Sequence, residues 1–368
     1  MVQRRPAAAS QAAVRALDEA RTRSVVYLAT TMPGLGPLLL DEIERHPHLR
    51  TTVGPCNDGR SDIVGFQAAR GIDPLEMLRL AEDLFVLVGV TGADADAQRL
   101  ASRLITREGL ERALSVRSRL VAAVRSDMTY RVIARVLSER HFRRTSLRSV
   151  VSAAVVRHRP RWTVADPSAL ELWVQQLAGD TFVAALRLSD PSMRQRGGRA
   201  MERHGALRPA VAAAMVSLAG VPAGRLLDPF CGTGTILAEA AAVGWTVEGR
   251  DIDRDAVAMA RANVPSASVA HGDACELAHR DGTVDAVVSN LPFGRQYEVD
   301  ARVLEAALLE MDRVTAPTGT IVVLHPSPLP SVPAGRVVRE EHELELLGVP
   351  TSIHVLERPS RRDAADNR

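Results

Sequence analysis

Two short segments carry the residue types from which a group-transfer site is built. They are Asp228-Pro229-Phe230-Cys231-Gly232-Thr233-Gly234-Thr235 and Asn290-Leu291-Pro292-Phe293-Gly294, 62 positions apart. The first follows the apolar run Arg225-Leu226-Leu227 and opens a helical stretch, Ile236 to Val243. Its glycines therefore fall where a chain must turn sharply and let a ligand approach the backbone. The second ends another apolar run, Ala286-Val287-Val288. In open α/β sheets ligands bind beyond the carboxyl ends of the strands, so both segments belong on one rim. The chemistry they suit is passage of a group from a cofactor at the glycine turn to an amine held by the asparagine.

Two further acids refine the cofactor. Asp251 ends the strand Thr246-Val247-Glu248-Gly249 and lies 19 positions past Gly232, close to the roughly 20 residues that separate a glycine turn from an acid accepting ribose hydrogen bonds. Asp273 ends the following strand. The turn lacks the third glycine that packs a helix around a pyrophosphate, so no dinucleotide is implied. Asp228 within the turn repels phosphate and suits a cationic ligand end such as an α-amino group. These residues resemble the S-adenosyl-L-methionine site of class I methyltransferases. The resemblance implies Asp228, Gly232 and Gly234 at the methionine part, Asp251 at the ribose and Asp273 at the adenine, with Phe230, Ala274 and Asn290 among the cofactor's neighbours.

Asn290-Leu291-Pro292-Phe293 in turn resembles the (Asn/Asp)-Pro-Pro-aromatic motif of methyltransferases that act on planar amino groups, with leucine where a second proline is more usual. Such an amine is a poor nucleophile because its lone pair is delocalised into the ring. Two acceptors, the Asn290 side-chain oxygen and a backbone carbonyl near Leu291 or Pro292, would take both amine hydrogens and localise that pair toward the methyl group. Phe293 would stack on the base. Asn290, Pro292 and Phe293 are thus the expected catalytic set.

The elements that position these residues occupy the second half of a 368-residue chain; the first half has a different character. Between Ala101 and Arg161 stand fifteen arginines against four acids, a net +11 in a chain of net +2. The chain contains no lysine, all 46 basic residues being arginine, so coding bias explains the choice of arginine. It does not explain the scarcity of acids in this one segment, which points to a polyanion such as a nucleic acid. Arg143, Arg144 and Arg148 form the expected centre of that surface. Arg194, Arg196 and Arg208 extend it through the connector, and Gly294 and Arg295, directly after the amine motif, are expected to touch the RNA substrate as well. Thr145 is placed to cap a helix whose Leu147, Val150, Val151, Ala154 and Val155 share one apolar face.

Periodicity predicts strands over Ser24–Thr30, Ile63–Phe66, Leu84–Val90 and Tyr130–Val136. It predicts helices over Leu35–Arg45 and most of Asp94–Val121, and a hairpin joining Leu170–Val174 to Phe182–Leu188 through Gly179-Asp180. Beyond the amine motif come a helix, Ala301–Val314, the strand Thr320–Leu324 and two closing strands, Val337–Leu347 and Ser352–Glu357.

With these elements in order, Tyr27-Leu28-Ala29-Thr30 and Pro33-Gly34-Leu35 resemble the opening of an N-terminal ferredoxin-like domain. The stretch from Tyr130-Arg131-Val132 through Phe142-Arg143-Arg144 and Trp162-Thr163-Val164 to Ala184, Leu186 and Leu188 resembles a THUMP domain. Met193-Arg194-Gln195-Arg196 and His204-Gly205-Ala206-Leu207-Arg208-Pro209 resemble the linker and first catalytic helix of THUMP-containing tRNA guanine-N2 methyltransferases. The resemblance implies an α/β chain: a disordered or helical tail over 1–24, a ferredoxin-like domain over 25–97 and a THUMP domain over 98–190. A linker over 191–204 leads to a Rossmann-like methyltransferase domain with a seven-stranded, mostly parallel sheet over 205–357, and a charged tail over 358–368 ends the chain. The implied substrate is a guanosine in tRNA.

Cys56, Cys231 and Cys275 lack paired spacing, so neither disulfides nor a metal site is expected, and a reducing, cytoplasmic setting is. Residues 1–24 carry Asp18 and Glu19 and read as neither signal peptide nor membrane span, with an organelle-targeting segment left open. A monomer is expected. Two other readings stand beside this one: a methyltransferase for adenine N6 or a protein glutamine, and a non-catalytic RNA-binding protein.

Overall fold

A computed structural model describes residues 7–137, 143–177, 180–195, 206–220, 224–293, 300–346 and 348–359. The chain divides into two compact units, Met1–Arg194 and Gln195–Arg368. Of the positions singled out by sequence, Arg196, Gly294, Arg295, the glycine pair Gly197-Gly198, most of the linker and the end of the charged tail lie outside the described residues.

The first unit contains α1 (Ala7–Arg23), β1 (Tyr27–Thr31), α2 (Gly36–Arg45), β2 (Leu49–Asn57), β3 (Asp62–Ala68), β4 (Asp83–Gly92), α3 (Ala97–Leu104) and α4 (Arg107–Leu120). There follow β5 (Thr129–Arg135), α5 (Arg144–His158), β6 (Thr163–Val164), β7 (Leu170–Leu177), β8 (Thr181–Arg187) and the short α6 (Pro191–Gln195). Its eight strands form one sheet in the order β2-β3-β1-β4-β8-β7-β5-β6. The sheet runs unbroken across residue 97 because β4 and β8 pair antiparallel, Val86 opposite Leu186 and Val90 opposite Val183. β4 lies at the centre, which accounts for its near-continuous apolar run. β2 shows no usable periodicity: it holds Gly54 and Pro55, and a proline is tolerated there because β2 is an edge strand.

Two sequence expectations change. Residues 7–23, open between disorder and helix, form α1 and dock on the sheet: Leu17 is 1% exposed and joins Val26, Leu28, Phe85, Leu87 and Trp173 in the core. The predicted cap of α5 also moves. Arg143 occupies the N-cap position without a side-chain capping bond, and Thr145 sits within the first turn, leaving Leu147, Val151, Ala154 and Val155 buried as expected and Val150 only half-buried.

The second unit contains α7 (Pro209–Leu218), β9 (Arg225–Asp228), α8 (Thr235–Ala242), β10 (Thr246–Asp251), α9 (Arg254–Asn263), β11 (Ser268–His271), β12 (Val284–Asn290), α10 (Ala301–Val314), β13 (Thr315–His325), β14 (Val337–Leu346) and β15 (Val349–Glu357). Seven strands run in the order β11-β10-β9-β12-β13-β15-β14. The first five are parallel, and β15 is antiparallel to both β13 and β14. The chain order reverses between β9 and β12, the switch point where ligands bind in open α/β sheets. α10 covers this region of the sheet, with Leu304, Leu308 and Met311 buried against Leu227, Val287 and Ile321. No described helix is long and apolar enough to cross a membrane.

The docking of α1 gives a direct test. Leu17→Ala leaves a cavity beneath a helix and should cost about 2 to 4 kcal/mol, read as an earlier unfolding transition of the full chain in urea. An unchanged midpoint would show that α1 is peripheral to the fold.

Candidate active site and nucleic-acid surface

The carboxyl ends of β9, β10, β12 and β13 gather the residues singled out by their spacing. The glycine turn after β9 needs two left-handed residues, Gly232 at φ 51° and Gly234 at φ 86°, conformations that a side chain disfavours. The turn is fastened on three sides. Gly232 N–H donates to Asp251 Oδ2 at 2.8 Å, Cys231 N–H donates to the Arg250 carbonyl at 2.9 Å, and Asn263 Nδ2 donates to the Thr233 carbonyl at 2.9 Å. Asp251 thus clamps the turn as well as standing where a ribose acid would. Its other oxygen accepts the Asp253 N–H at 2.9 Å, and this small turn thrusts Ile252 outward, 69% exposed. A large apolar side chain held in water beside Asp251 offers an apolar face to a ring. The sequence reading passed it over, although its place directly after Asp251 was a usable signal.

Asp273 is exposed, one oxygen accepting the Cys275 N–H at 2.8 Å. Ala274 is buried and turns its methyl into the core. Phe230 is partly buried against the same core.

Asp228 is 1% exposed. Its Oδ1 accepts the Ser289 hydroxyl at 2.7 Å and the Phe230 N–H at 3.1 Å. Burial is the main force on it and pushes its carboxyl up to about 7; the neighbouring Asp251 pushes the same way, and the Ser289 and Phe230 hydrogen bonds oppose it. A buried acid so poised gains from a nearby cation. Ser289 was also missed; a lone hydroxyl inside the apolar strand β12, just before Asn290, was its signature.

Asn290 ends β12, opposite Leu324 of β13. The ladder continues one step further, the Leu291 N–H donating to the Leu324 carbonyl at 3.2 Å. Leu291 is buried in the core, so leucine replaces the usual proline without presenting its side chain to a ligand. The side-chain oxygen of Asn290 is buried and has no hydrogen-bond partner among the described residues. A buried acceptor left without a donor costs roughly 1 to 3 kcal/mol, which a ligand's N–H group would recover. Phe293 is half-buried and meets His325 edge to face, ring centroids 6.0 Å apart at 78°.

The expected RNA-facing arginines divide. Several of the fifteen pair with carboxylates inside the unit: Arg103 with Asp94, Arg107 with Glu111, Arg112 with Glu108, Arg131 with Glu171 and Asp166, Arg135 with Asp58 and Arg159 with Glu111. Arg117 spends its guanidinium on the carbonyls of Ala122 and Ala169. Arg194, expected at the RNA, instead pairs with Asp83, a buried carboxylate that also holds Arg187 and Ser189; it is a structural anchor. Arg144 and Arg208 are exposed at the starts of α5 and α7. Arg143, Arg148, Arg157 and Arg161 pair with no described carboxylate. Arg148 borders an open groove of about 440 Å³ lined also by Val132, Thr145, Ser149, Ser152 and Val164. Among the described residues no cluster of three His, Cys, Asp or Glu side chains is placed to hold a metal ion.

The strand order, the glycine turn and the acids at successive strand ends make the second unit a class I methyltransferase fold. Residues 196–329 match the family model UPF0020, described as an RMKL-like methyltransferase domain. Among solved structures, TrmN from Thermus thermophilus aligns with a TM-score of 0.71 at 25% identity over 91% of this chain and 100% of that one. A possible methylase from Clostridium difficile 630 aligns at 0.68 and 16% identity over 91% of this chain and 98% of that one. Among curated proteins, a tRNA (guanine(10)-N2)-dimethyltransferase of Methanothermobacter thermautotrophicus is 45% identical over 96 residues, 24% of this chain and 28% of that protein. The U6 snRNA (guanine-N(2))-methyltransferase THUMPD2 of Bos taurus is 36% identical over 135 residues, 34% of this chain and 27% of that protein. The chain therefore aligns with less than a third of the length of these curated relatives.

The Asp228 environment fixes a pH dependence. A carboxyl raised from 3.8 to about 7 contributes stability that is fully present below its unfolded value and is lost as pH climbs toward 7. Asp228→Asn keeps an acceptor for Ser289 without a charge. Compared with this variant, the ligand-free parent should lose roughly 3 °C or more of thermal midpoint between pH 5 and pH 7.5. Parallel midpoints across that range would refute the buried-acid assignment.

Proposed function

We propose that this protein transfers a methyl group from S-adenosyl-L-methionine to the exocyclic N2 amine of a guanosine in tRNA, its first unit gripping the RNA. The observation that carries the reading is the buried, unpartnered Asn290 oxygen at the end of β12, on the rim that also holds the glycine turn and Asp251. The relatives' names support the base and the atom: the archaeal and the bovine proteins are both named as guanine-N2 methyltransferases, one for tRNA and one for U6 snRNA. The THUMP-like pattern of the first half and its basic surface favour a folded RNA.

The residues fit the cofactor. Asp228 meets an α-ammonium, the glycine turn and the first N–H groups of α8 meet a carboxylate, Asp251 takes the ribose hydroxyls, and Asp273 with Ile252 takes the adenine. When bound, the cofactor supplies an electrophilic methyl on a sulfonium sulfur. Asn290 and a carbonyl of Leu291 or Pro292 accept the amine hydrogens and concentrate the nitrogen lone pair, while Phe293 stacks on the base. The first unit holds phosphates through α5 and the loop after it, where Arg143, Arg148 and Arg161 remain uncommitted. Cytoplasmic action on tRNA completes the proposal.

Asn290→Ala and Phe293→Ala should bind S-adenosylhomocysteine as the parent does, and Asn290→Ala should slow single-turnover transfer to tRNA by about a hundredfold or more. A rate within a few-fold of the parent would remove Asn290 from the chemistry. Nucleoside mass spectrometry of the product must show N2-methylguanosine; methyl on adenine N6 or on protein alone would overturn the assignment.

Replacing Arg143 and Arg148 together by Ala should flatten the salt dependence of tRNA binding by about one to one and a half units of log–log slope, at roughly 0.7 for each phosphate no longer neutralised. An unaltered slope in filter binding would place the RNA elsewhere.

A further inference from the structure

One titratable group on the rim has no part in the scheme above. His325 is the last residue of β13, one step past Leu324, the register partner of Asn290. Its ring is half-buried and meets Phe293 edge to face. Its Nδ1 lies 2.7 Å from the Pro326 carbonyl. A carbonyl can only accept, so Nδ1 carries the proton and Nε2 of the neutral ring is a bare acceptor. Nε2 has no hydrogen-bond partner among the described residues. Behind it, His354 Nε2 lies 3.2 Å from the His325 carbonyl and fixes the backbone of this strand end.

Burial and the neighbouring His354 favour the neutral form of the ring. His354 from β15 stands behind it, with Glu341 of β14 on the far side, 3.9 Å from His354 Nδ1; from β12 the neighbouring rim side chain is the uncharged Asn290. Burial is the largest force and holds His325 below its ordinary 6.5, and His354 adds to it, against the Pro326 contact. At neutral pH the rim beside Phe293 therefore presents a second acceptor in addition to Asn290.

Two acceptors on one rim, both beside the Asn290–Phe293 turn, select the base. The edge of guanine next to its amine bears N1–H, a donor, whereas adenine bears a lone pair at the corresponding N1. Resting on the proposed methyl transfer, we infer that His325 Nε2 accepts a hydrogen bond from the N1–H of the target guanine and so sets the specificity of the site for guanine over adenine. A site built to accept an N–H rejects a base that lacks it, because the buried acceptor is then left facing a lone pair. Below its titration point the imidazolium would become a donor aimed at N1–H, and productive binding would fall.

The test uses the full-length protein and in vitro transcribed tRNA. At pH 7.5, His325→Leu should lower kcat/KM more than tenfold with S-adenosylhomocysteine affinity by calorimetry unchanged. His325→Gln, which restores an acceptor oxygen, should stay within a few-fold of the parent. With S-adenosyl-L-methionine saturating, so that the Asp228 carboxylate is held charged by the bound ammonium, the parent's kcat/KM for tRNA should fall on the acid side, below pH 6.5, and His325→Gln should lack that limb. Once the methylated guanosine is mapped, RNA carrying 2-aminopurine there keeps the amine but presents a lone pair at N1; the parent should discriminate against it at least tenfold more strongly than His325→Leu does. A leucine variant that keeps the parent's rate and discrimination, or a glutamine variant that keeps the acid limb, would overturn the role of His325 while leaving guanine methylation in place. A parent that puts no methyl on guanosine would overturn both.

Discussion

Parallel pairing of β9, β10 and β12 is the constraint on which the site rests. In parallel register all carboxyl ends emerge on one side. Residues that terminate these strands, Asp228, Asp251 and Asn290, are thereby brought together although they are far apart in sequence. The Gly232 N–H to Asp251 hydrogen bond turns this alignment into a fixed geometry, because it ties the loop after β9 to the end of β10. Asp251 thereby fastens the turn with one oxygen and caps the start of its own loop with the other.

The site places polar groups where water is excluded and leaves part of their hydrogen-bonding capacity unused. Asp228 is satisfied by Ser289 and Phe230 yet held near neutrality by burial. The Asn290 oxygen is left without a donor among the described residues. His325 is held in one tautomer by a carbonyl. The first two arrangements cost stability in the ligand-free protein, and in the proposed scheme all three would favour a ligand of the right polarity: a cation for Asp228 and N–H donors for Asn290 and His325. Such costs are tolerated at sites that act, and the surrounding apolar core of α10, β12 and β13 supplies the rigidity that keeps them in place.

The first unit shows how little a charge count says about free charge. In a chain without lysine, arginine also serves as structural glue, and the guanidinium fork suits it to that use. Asp83, buried at the head of β4, gathers Arg187 and Arg194, and Arg135 pairs with buried Asp58 while lying over the Trp173 ring at 4.3 Å. Of the fifteen arginines between Ala101 and Arg161, those that pair with no described carboxylate include Arg143, Arg148, Arg157 and Arg161, on α5 and the loop after it, with Arg148 lining an open groove.

Local sequence was enough for the elements of the second unit and for the cofactor side of the site, because apolar runs, glycine turns and strand-terminal acids are governed by short-range stereochemistry. The helix Ala301–Val314 and the strand ending at Asp251 agree with the structure for that reason. It was not enough where a residue's state depends on distant partners. Edge strand β2, with its Gly54-Pro55, shows no periodicity of its own and forms by pairing with β3. α1 reads as a tail until Leu17 finds Phe85 and Trp173 across the sheet. Arg194 and Arg148 are indistinguishable by composition, yet one meets Asp83 across 111 positions and the other meets no described carboxylate. Ser289, Ile252 and His325 acquire meaning only from the rim they share. Residue type and spacing determined which chemistry the chain carries; burial and long-range pairing, which no local pattern encodes, decided which of its polar groups are spent on the fold and which are left for a ligand.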